Sequence, residues 1–175
     1  PVEIREQLAF PEERLPEALR AAVALPGVSE ALILSTCNRV EILARAETDD
    51  GNIGPALARF LAESHHRDLA EIERYLYEYR QRDAIRHIFR VAASLDSMVI
   101  GESQILGQVK TATAIARGSG ALSGALEEVL TRSFAVAKQI RTETGIASSA
   151  VSVSYAAVEL AKKIFGSLEG KHILL

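Results

Sequence analysis

Residues 31 to 45 read ALILSTCNRVEILAR, and the fold follows from how this stretch divides. Ala31-Leu32-Ile33-Leu34 is an apolar run too brief for a helix and right for a buried strand. Val40, Ile42 and Ala44 then alternate with Glu41, Leu43 and Arg45, the period of a second, half-buried strand. Between them lies Ser35-Thr36-Cys37-Asn38-Arg39, a polar crossing short enough for a tight connection, with Cys37 either inside it or on a strand end.

Outward from this hairpin the periodicity changes. Residues 11 to 25 carry Leu15, Ala18, Leu19, Ala22 and Val23 at helical spacing, and Pro26-Gly27 stops the pattern. Asp49-Asp50-Gly51-Asn52 is turn chemistry, followed by an amphipathic helix from about Pro55 to Ser64. Tyr75, Tyr77 and Tyr79 alternate with other residues and predict a third strand over 74–79. From residue 82 onward the signal is helical. One apolar stripe runs from Ala84 to Leu95, and after a break around Gly101 another runs from Ile105 to Ala116. Gly118-Ser119-Gly120 reads as a loop, 122–143 and 149–165 as helices, the second ended by Gly166, and 170–175 as the start of a strand. Strands in the first half and helices in the second predict an α+β fold: a small antiparallel or mixed sheet with packed helices, then a helical segment.

The composition narrows the function. Of 175 residues, 20 are Lys or Arg and 23 Asp or Glu, so the net charge is −3 with His neutral. That balance excludes a polybasic nucleic-acid arm and an acidic tail. An apolar fraction of 48% and a charged fraction of 25% exclude disordered and low-complexity classes. No run of 18 apolar residues exists, so no membrane-spanning helix is expected. Cys37, the one cysteine, has no internal disulfide partner, which fits a reducing, cytoplasmic compartment. Pro1 is not an initiator methionine, which leaves targeting open.

Three features offer chemistry. A solitary cysteine is usually a small buried hydrophobe. Cys37, however, is set among Thr36, Asn38 and Arg39, and a neighbouring guanidinium favours the thiolate that attacks carbonyls. His87 flanks an apolar stripe four residues after Asp83, a carboxylate that could orient its ring or raise its pKa, although a satisfied helix-surface histidine is the simpler reading of the residues alone. His65 and His66 end a helix beside Arg67 and are expected to be solvated. The third feature is residues 96–108, DSMVIGESQILGQ, where polar groups crowd a helix entry and free backbone N–H groups suit an anion. Gln104 and Gln108 share one helix face there, and Gly107 inside the helix costs about 1 kcal/mol relative to Ala, which close packing or ligand approach must offset. No metal-ligand spacing, GxGxxG or Walker loop occurs. Arg132, Lys138, Arg141, Lys162 and Lys163 on the last two helices are expected to form a solvated face.

Three blocks together resemble the glutamyl-tRNA reductase family: Ser35 to Ile42, Leu95 to Lys110, and Arg141 to Thr144 with Ala150 to Ser154, in the family's order and spacing. The resemblance covers essentially the whole chain. It implies NADPH-dependent reduction of glutamyl-tRNA to glutamate-1-semialdehyde through a cysteine thioester, the first step of tetrapyrrole (porphyrin, heme) biosynthesis. It further implies a ferredoxin-like N-terminal domain over 1–147, and over 148–175 a connecting helix and the first strand of a truncated NADPH-binding domain.

By the same resemblance Cys37 is the nucleophile and His87 an activity-assisting histidine that orients or transfers protons. Thr36, Asn38, Arg39, Ser97, Glu102, Ser103, Gln104 and Gln108 fall on substrate-binding positions, with Arg39 suited to a carboxylate and Glu102 to the α-ammonium. Position 103 is Ser where the family commonly has Pro. A further strand and a His-Lys turn are expected before Pro1, and the NADPH-binding glycine loop after Leu175, so no cofactor or metal site is expected within this stretch. The implied partners are glutamyl-tRNA, a second copy in a homodimer and a downstream aminomutase. The rival reading is a nonenzymatic tRNA- or protein-binding module in which Cys37 only packs; a cysteine hydrolase unrelated to tRNA is a third.

Overall fold

The computed structural model describes residues 2–48, 52–97, 100–102, 104–147 and 153–169. Its centre is the hairpin read above. Strand β1 (Val28–Ser35) pairs antiparallel with β2 (Val40–Ala46), Ser35 facing Val40 and Leu32 facing Leu43, with one irregularity between Val28 and Glu30. The apolar run makes β1 buried on both faces, whereas the alternating β2 is half-buried. These two strands form the sheet found among the described residues.

Helices α1 (Val2–Gln7) and α2 (Leu15–Val23) precede the hairpin, a 3₁₀ turn at Glu12–Arg14 leading into α2. Leu15, Leu19 and Ala22 on one face of α2 pack on β1. Helix α3 (Ile53–Ser64) and the short α4 (Leu69–Ile72) follow, Asp68 capping α4 by accepting from the N–H of Ala70 at 3.0 Å. Then come α5 (Gln81–Ala92), α6 (Gln104–Gly118), α7 (Ala125–Glu143) and α8 (Val153–Phe165). Ile88 and Val91 of α5 and Val109 and Ala116 of α6 complete a core around Leu32 and Ile33. Beside it, Leu106 closes a smaller cluster with Ala92, Ala93 and Ala137.

The third expected strand does not form. Residues 73–75 make a 3₁₀ turn, and the chain from Leu76 to Arg80 is extended without a ladder partner among the described residues. Alternation marks a chain that suits a pleated edge, but a strand also needs a neighbour. The terminal strand expected over 170–175 lies outside the described residues. Among the described residues, no helix is long and apolar enough to cross a membrane.

The cap of α7 was not legible beforehand. Glu30 on β1 is buried, and its carboxylate accepts from the backbone N–H groups of Ser123 (3.1 Å), Gly124 (2.7 Å) and Leu126 (3.0 Å). Burial alone would raise its carboxyl group's pKa, but these N–H groups outweigh that and hold it below the usual range.

Candidate functional site

The hairpin tip is pinned by its own polar residues. The N–H of Thr36 donates to the carbonyl of Arg39 at 2.8 Å, and the Thr36 hydroxyl accepts from the N–H groups of Asn38 (3.2 Å) and Arg39 (3.1 Å). Arg5 of α1 reaches across to donate to both the carbonyl and the side-chain oxygen of Asn38. Cys37 sits at this tip with its side chain exposed.

Below the tip lies a charged cluster centred on Glu41, a buried carboxylate. Its Oε1 accepts from Arg39 Nη1 at 2.8 Å, the Tyr77 hydroxyl at 2.6 Å and His87 Nε2 at 3.0 Å. Burial pushes the Glu41 pKa up; hydrogen bonds from His87 and Tyr77, with the charges of His87 and Arg39, outweigh it and leave the carboxyl group below its ordinary value. Tyr77 is shifted the other way. Burial, then the Glu41 charge and hydrogen bond, raise its hydroxyl pKa well above the ordinary value, so it stays a donor. Tyr79 lies against the His87 ring, centroids 4.7 Å apart.

Arg39 also ties the hairpin to the turn after α5. Its Nη2 donates to the Asp96 carbonyl, and its Nη1 lies 3.6 Å from Asp96 Oδ2. Asp96 Oδ2 is 3.8 Å from His87 Nδ1, and its Oδ1 is 3.5 Å from Arg90. The turn is pinned from inside. Ser94, buried and with φ of +60°, donates its hydroxyl to the Glu102 carbonyl at 2.6 Å and accepts from Gly101 N–H at 3.0 Å. Arg141 adds a bond to the same Glu102 carbonyl at 3.3 Å.

On the other side of the hairpin, α6 and α2 flank a groove of about 580 Å³. Gln104, Gln108 and Ser35 supply polar groups there, Phe10, Leu15 and Ile33 part of its apolar wall, and Gly107 an open patch of backbone. The tip, residues 36–39, joins the two halves: Ser35 lines the groove and Arg39 enters the charged cluster.

Several sequence-based expectations need revision. The carboxylates near His87 are Glu41 and Asp96; Asp83 is exposed and forms no ion pair with it, because tertiary packing brings β2 to the ring. Arg39, expected to meet the substrate carboxylate, is paired with Glu41 and Asp96 in the structure. Gly107 has no neighbour within 4 Å of where a Cβ would stand, so close helix packing does not explain it. His65 is half-buried against Phe10, ring centroids 4.5 Å apart, and burial followed by the charges of Arg14 and His66 lowers its pKa. Ser97 follows the Asp96 clamp and is half-buried; Ser103 lies outside the described residues. Glu41 and Tyr77 were not singled out as site residues from sequence, since a polar residue on an expected alternating strand looks like a solvent-facing one. Among the described residues no cluster of three or more His, Cys, Asp or Glu is arranged to hold a metal ion.

A family model described as "Glutamyl-tRNAGlu reductase, N-terminal domain" matches residues 1–144. Curated relatives include a glutamyl-tRNA reductase of Solibacter usitatus, 57% identical over 175 residues, all of this chain and 41% of that protein. Another, glutamyl-tRNA reductase 2 of Koribacter versatilis, is 55% identical over the same span, 39% of its own length. Among solved structures, glutamyl-tRNA reductase from Methanopyrus kandleri superposes with a TM-score of 0.72 at 37% identity, covering 93% of this chain and 37% of that one. The chain thus spans about two fifths of the relatives it matches.

Proposed function

The chain belongs to the glutamyl-tRNA reductase family, matching its N-terminal domain, and from that premise we propose that it carries the acyl-transfer site of a protein reducing glutamyl-tRNA to glutamate-1-semialdehyde. Cys37 is the nucleophile. Its thiolate attacks the ester carbonyl, the C–S bond forms as the C–O bond to the tRNA ribose breaks, and the departing oxygen takes a proton. The observation that carries this reading is the exposed thiol on a tip fixed by Thr36 and Arg5, next to a cluster containing His87. An exposed sulfur suits a nucleophile and not a packed, inert thiol.

His87 is the proton-handling group. Glu41 accepts from Nε2, so Nε2 carries the hydrogen and Nδ1 is the nitrogen left to exchange a proton. Arg39 acts by clamping Asp96, and with it the turn that carries Ser97, to the hairpin. Thr36 and Asn38 shape the tip, Glu102 precedes α6, Ser103 is read as a further substrate contact, and the Gln104–Gln108 groove receives the aminoacyl end. Its amides offer hydrogen bonds to the glutamyl group, and Glu12 on the groove wall is a carboxylate suited to the α-ammonium.

Reduction by NADPH belongs to the complete protein. The described residues fit no dinucleotide: their sheet is an antiparallel pair without a strand–glycine loop–helix unit, and the groove between α2 and α6 is lined by no cation for a pyrophosphate. No step is routed through the cofactor here. We read 1–147 as the catalytic domain and 148–175 as the connection to the next; the family match ending at residue 144, before α8, supports that division. The order α2, β1, β2, α3 matches the centre of a β-α-β-β-α-β unit, and residues 76–80 follow α3 in the chain where its last strand would come, which is the sequence-order support for a ferredoxin-like reading. The complete protein is read as a cytoplasmic homodimer that passes its aldehyde to an aminomutase.

The test is incubation with glutamyl-tRNA labelled in the glutamate. Covalent label is expected on the chain and none on Cys37→Ala. Label persisting in that variant would move the attachment elsewhere and end the proposal.

A further inference from the structure

The helix that carries His87 presents a second feature on its outer side. Ile88, Val91 and Ala92 fix the buried face of α5. Arg82, Arg86 and Arg90 stand at i, i+4 and i+8 on the opposite face, all exposed, and span about 12 Å along the axis. Like charges at this spacing repel by a few tenths of a kcal/mol per pair. Arg132 is answered by Glu128, Lys162 by Glu159, Arg67 by Glu71 and Arg117 by Glu127, whereas the exposed Arg20, Arg59, Lys138 and Lys163, which form no ion pair among the described residues, each stand on a different helix and make no stripe. Arg90 has Asp96 at 3.5 Å, but Arg82 and Arg86 make no ion pair or hydrogen bond among the described residues. Asp83 on the same helix is the acid nearest in sequence and pairs with neither of them. The chain as a whole is acidic, net −3, so this stripe is a local reversal of sign.

A row of unanswered guanidinium groups costs stability inside the chain and gains it against an external polyanion. His87 lies one turn before Arg90 on the neighbouring face, with its ring against Tyr79 and Glu41. From this juxtaposition we infer that Arg82 and Arg86, continued by Arg90, are the phosphate-binding surface for the acceptor arm of the tRNA. The inference rests on the function proposed above and deepens it by assigning the RNA-docking face. The arm lies along the outer side of α5, and its esterified end passes His87 to the hairpin tip. The contact reads backbone charge, not sequence.

The experiment measures fluorescence anisotropy of labelled, unacylated tRNA-Glu with the complete protein carrying this chain, over a series of KCl concentrations. Arg82→Ala with Arg86→Ala is expected to weaken binding about tenfold and to flatten the slope of log K on log salt by about 1.4 to 1.8, two phosphates' share. A noncognate tRNA should lose the same factor, and the double Lys variant should recover most of the affinity. A wild-type midpoint in urea unfolding shows that the variants fold. Unchanged affinity and slope, in a protein whose wild type binds tRNA, overturn the docking surface and leave the acyl-transfer proposal standing. A wild type that binds no tRNA brings down both. Lost binding to phosphatidylserine–phosphatidylcholine vesicles, with tRNA affinity unchanged, would reassign the stripe to a membrane surface and overturn the inference.

Discussion

Glu41 is where a single atom exchange does most. Its Oε1 holds three donors in a buried position, so Glu41→Gln should cost about 2 kcal/mol in urea unfolding, the range of a charge-assisted hydrogen bond lost without replacement. Tyr77→Phe removes one donor and leaves the carboxylate paired with Arg39 and His87, so about 1 kcal/mol is expected by the same measurement. A larger loss for Tyr77→Phe than for Glu41→Gln would mean that the carboxylate is not the hub. The exposure of Cys37 was hinted at by its neighbours, because Thr36, Asn38 and Arg39 are the wrong company for a core thiol. No such hint marked Glu41. Its role arises from His87, 46 residues away, and nothing local in an alternating strand reports such a partner.

Two elements carry testable consequences of their own. Glu30 closes the start of α7, and Glu30→Ala should destabilise by about 2–3 kcal/mol in denaturant titration, leaving backbone donors buried without an acceptor. Gly107→Ala should act in the opposite direction. Its Cβ meets nothing within 4 Å, so α6 should gain about 0.5–1 kcal/mol in helix propensity while the groove narrows. Greater stability with weaker binding of glutamyl-tRNA is the expected pair of outcomes; greater stability with unchanged binding would remove the groove from the site. Helices α2, α3, α5, α6 and α7 were legible because each buries one stripe, whereas α1, which buries no residue, and the four-residue α4 were not; the hairpin was legible because β1 and β2 differ in period. The 74–79 segment was misread for a physical reason: alternation records what a chain is fit for, and pairing depends on a neighbour that lies elsewhere.

Across the molecule, three shifted groups give acid sensitivity of one sign. His65, Glu30 and Glu41 all have lowered pKa values in the folded state, so the unfolded chain binds more protons and stability falls as pH falls. The His65 contribution is lost first, below its ordinary value of 6.5, and the two carboxylates follow below 4.5. Unfolding midpoints measured from pH 7.5 to 3.5 should therefore decline in two stages, and His65→Asn should flatten the first. The same contacts also decide how the protein breathes. Segments around residues 39, 77, 87 and 96 are remote along the chain yet share one knot of charge, so none can open without exposing the others' unpaired ions. Deuterium uptake at 36–41 and 87–96 should accordingly rise and fall together, as a latch that releases all its pins in one event.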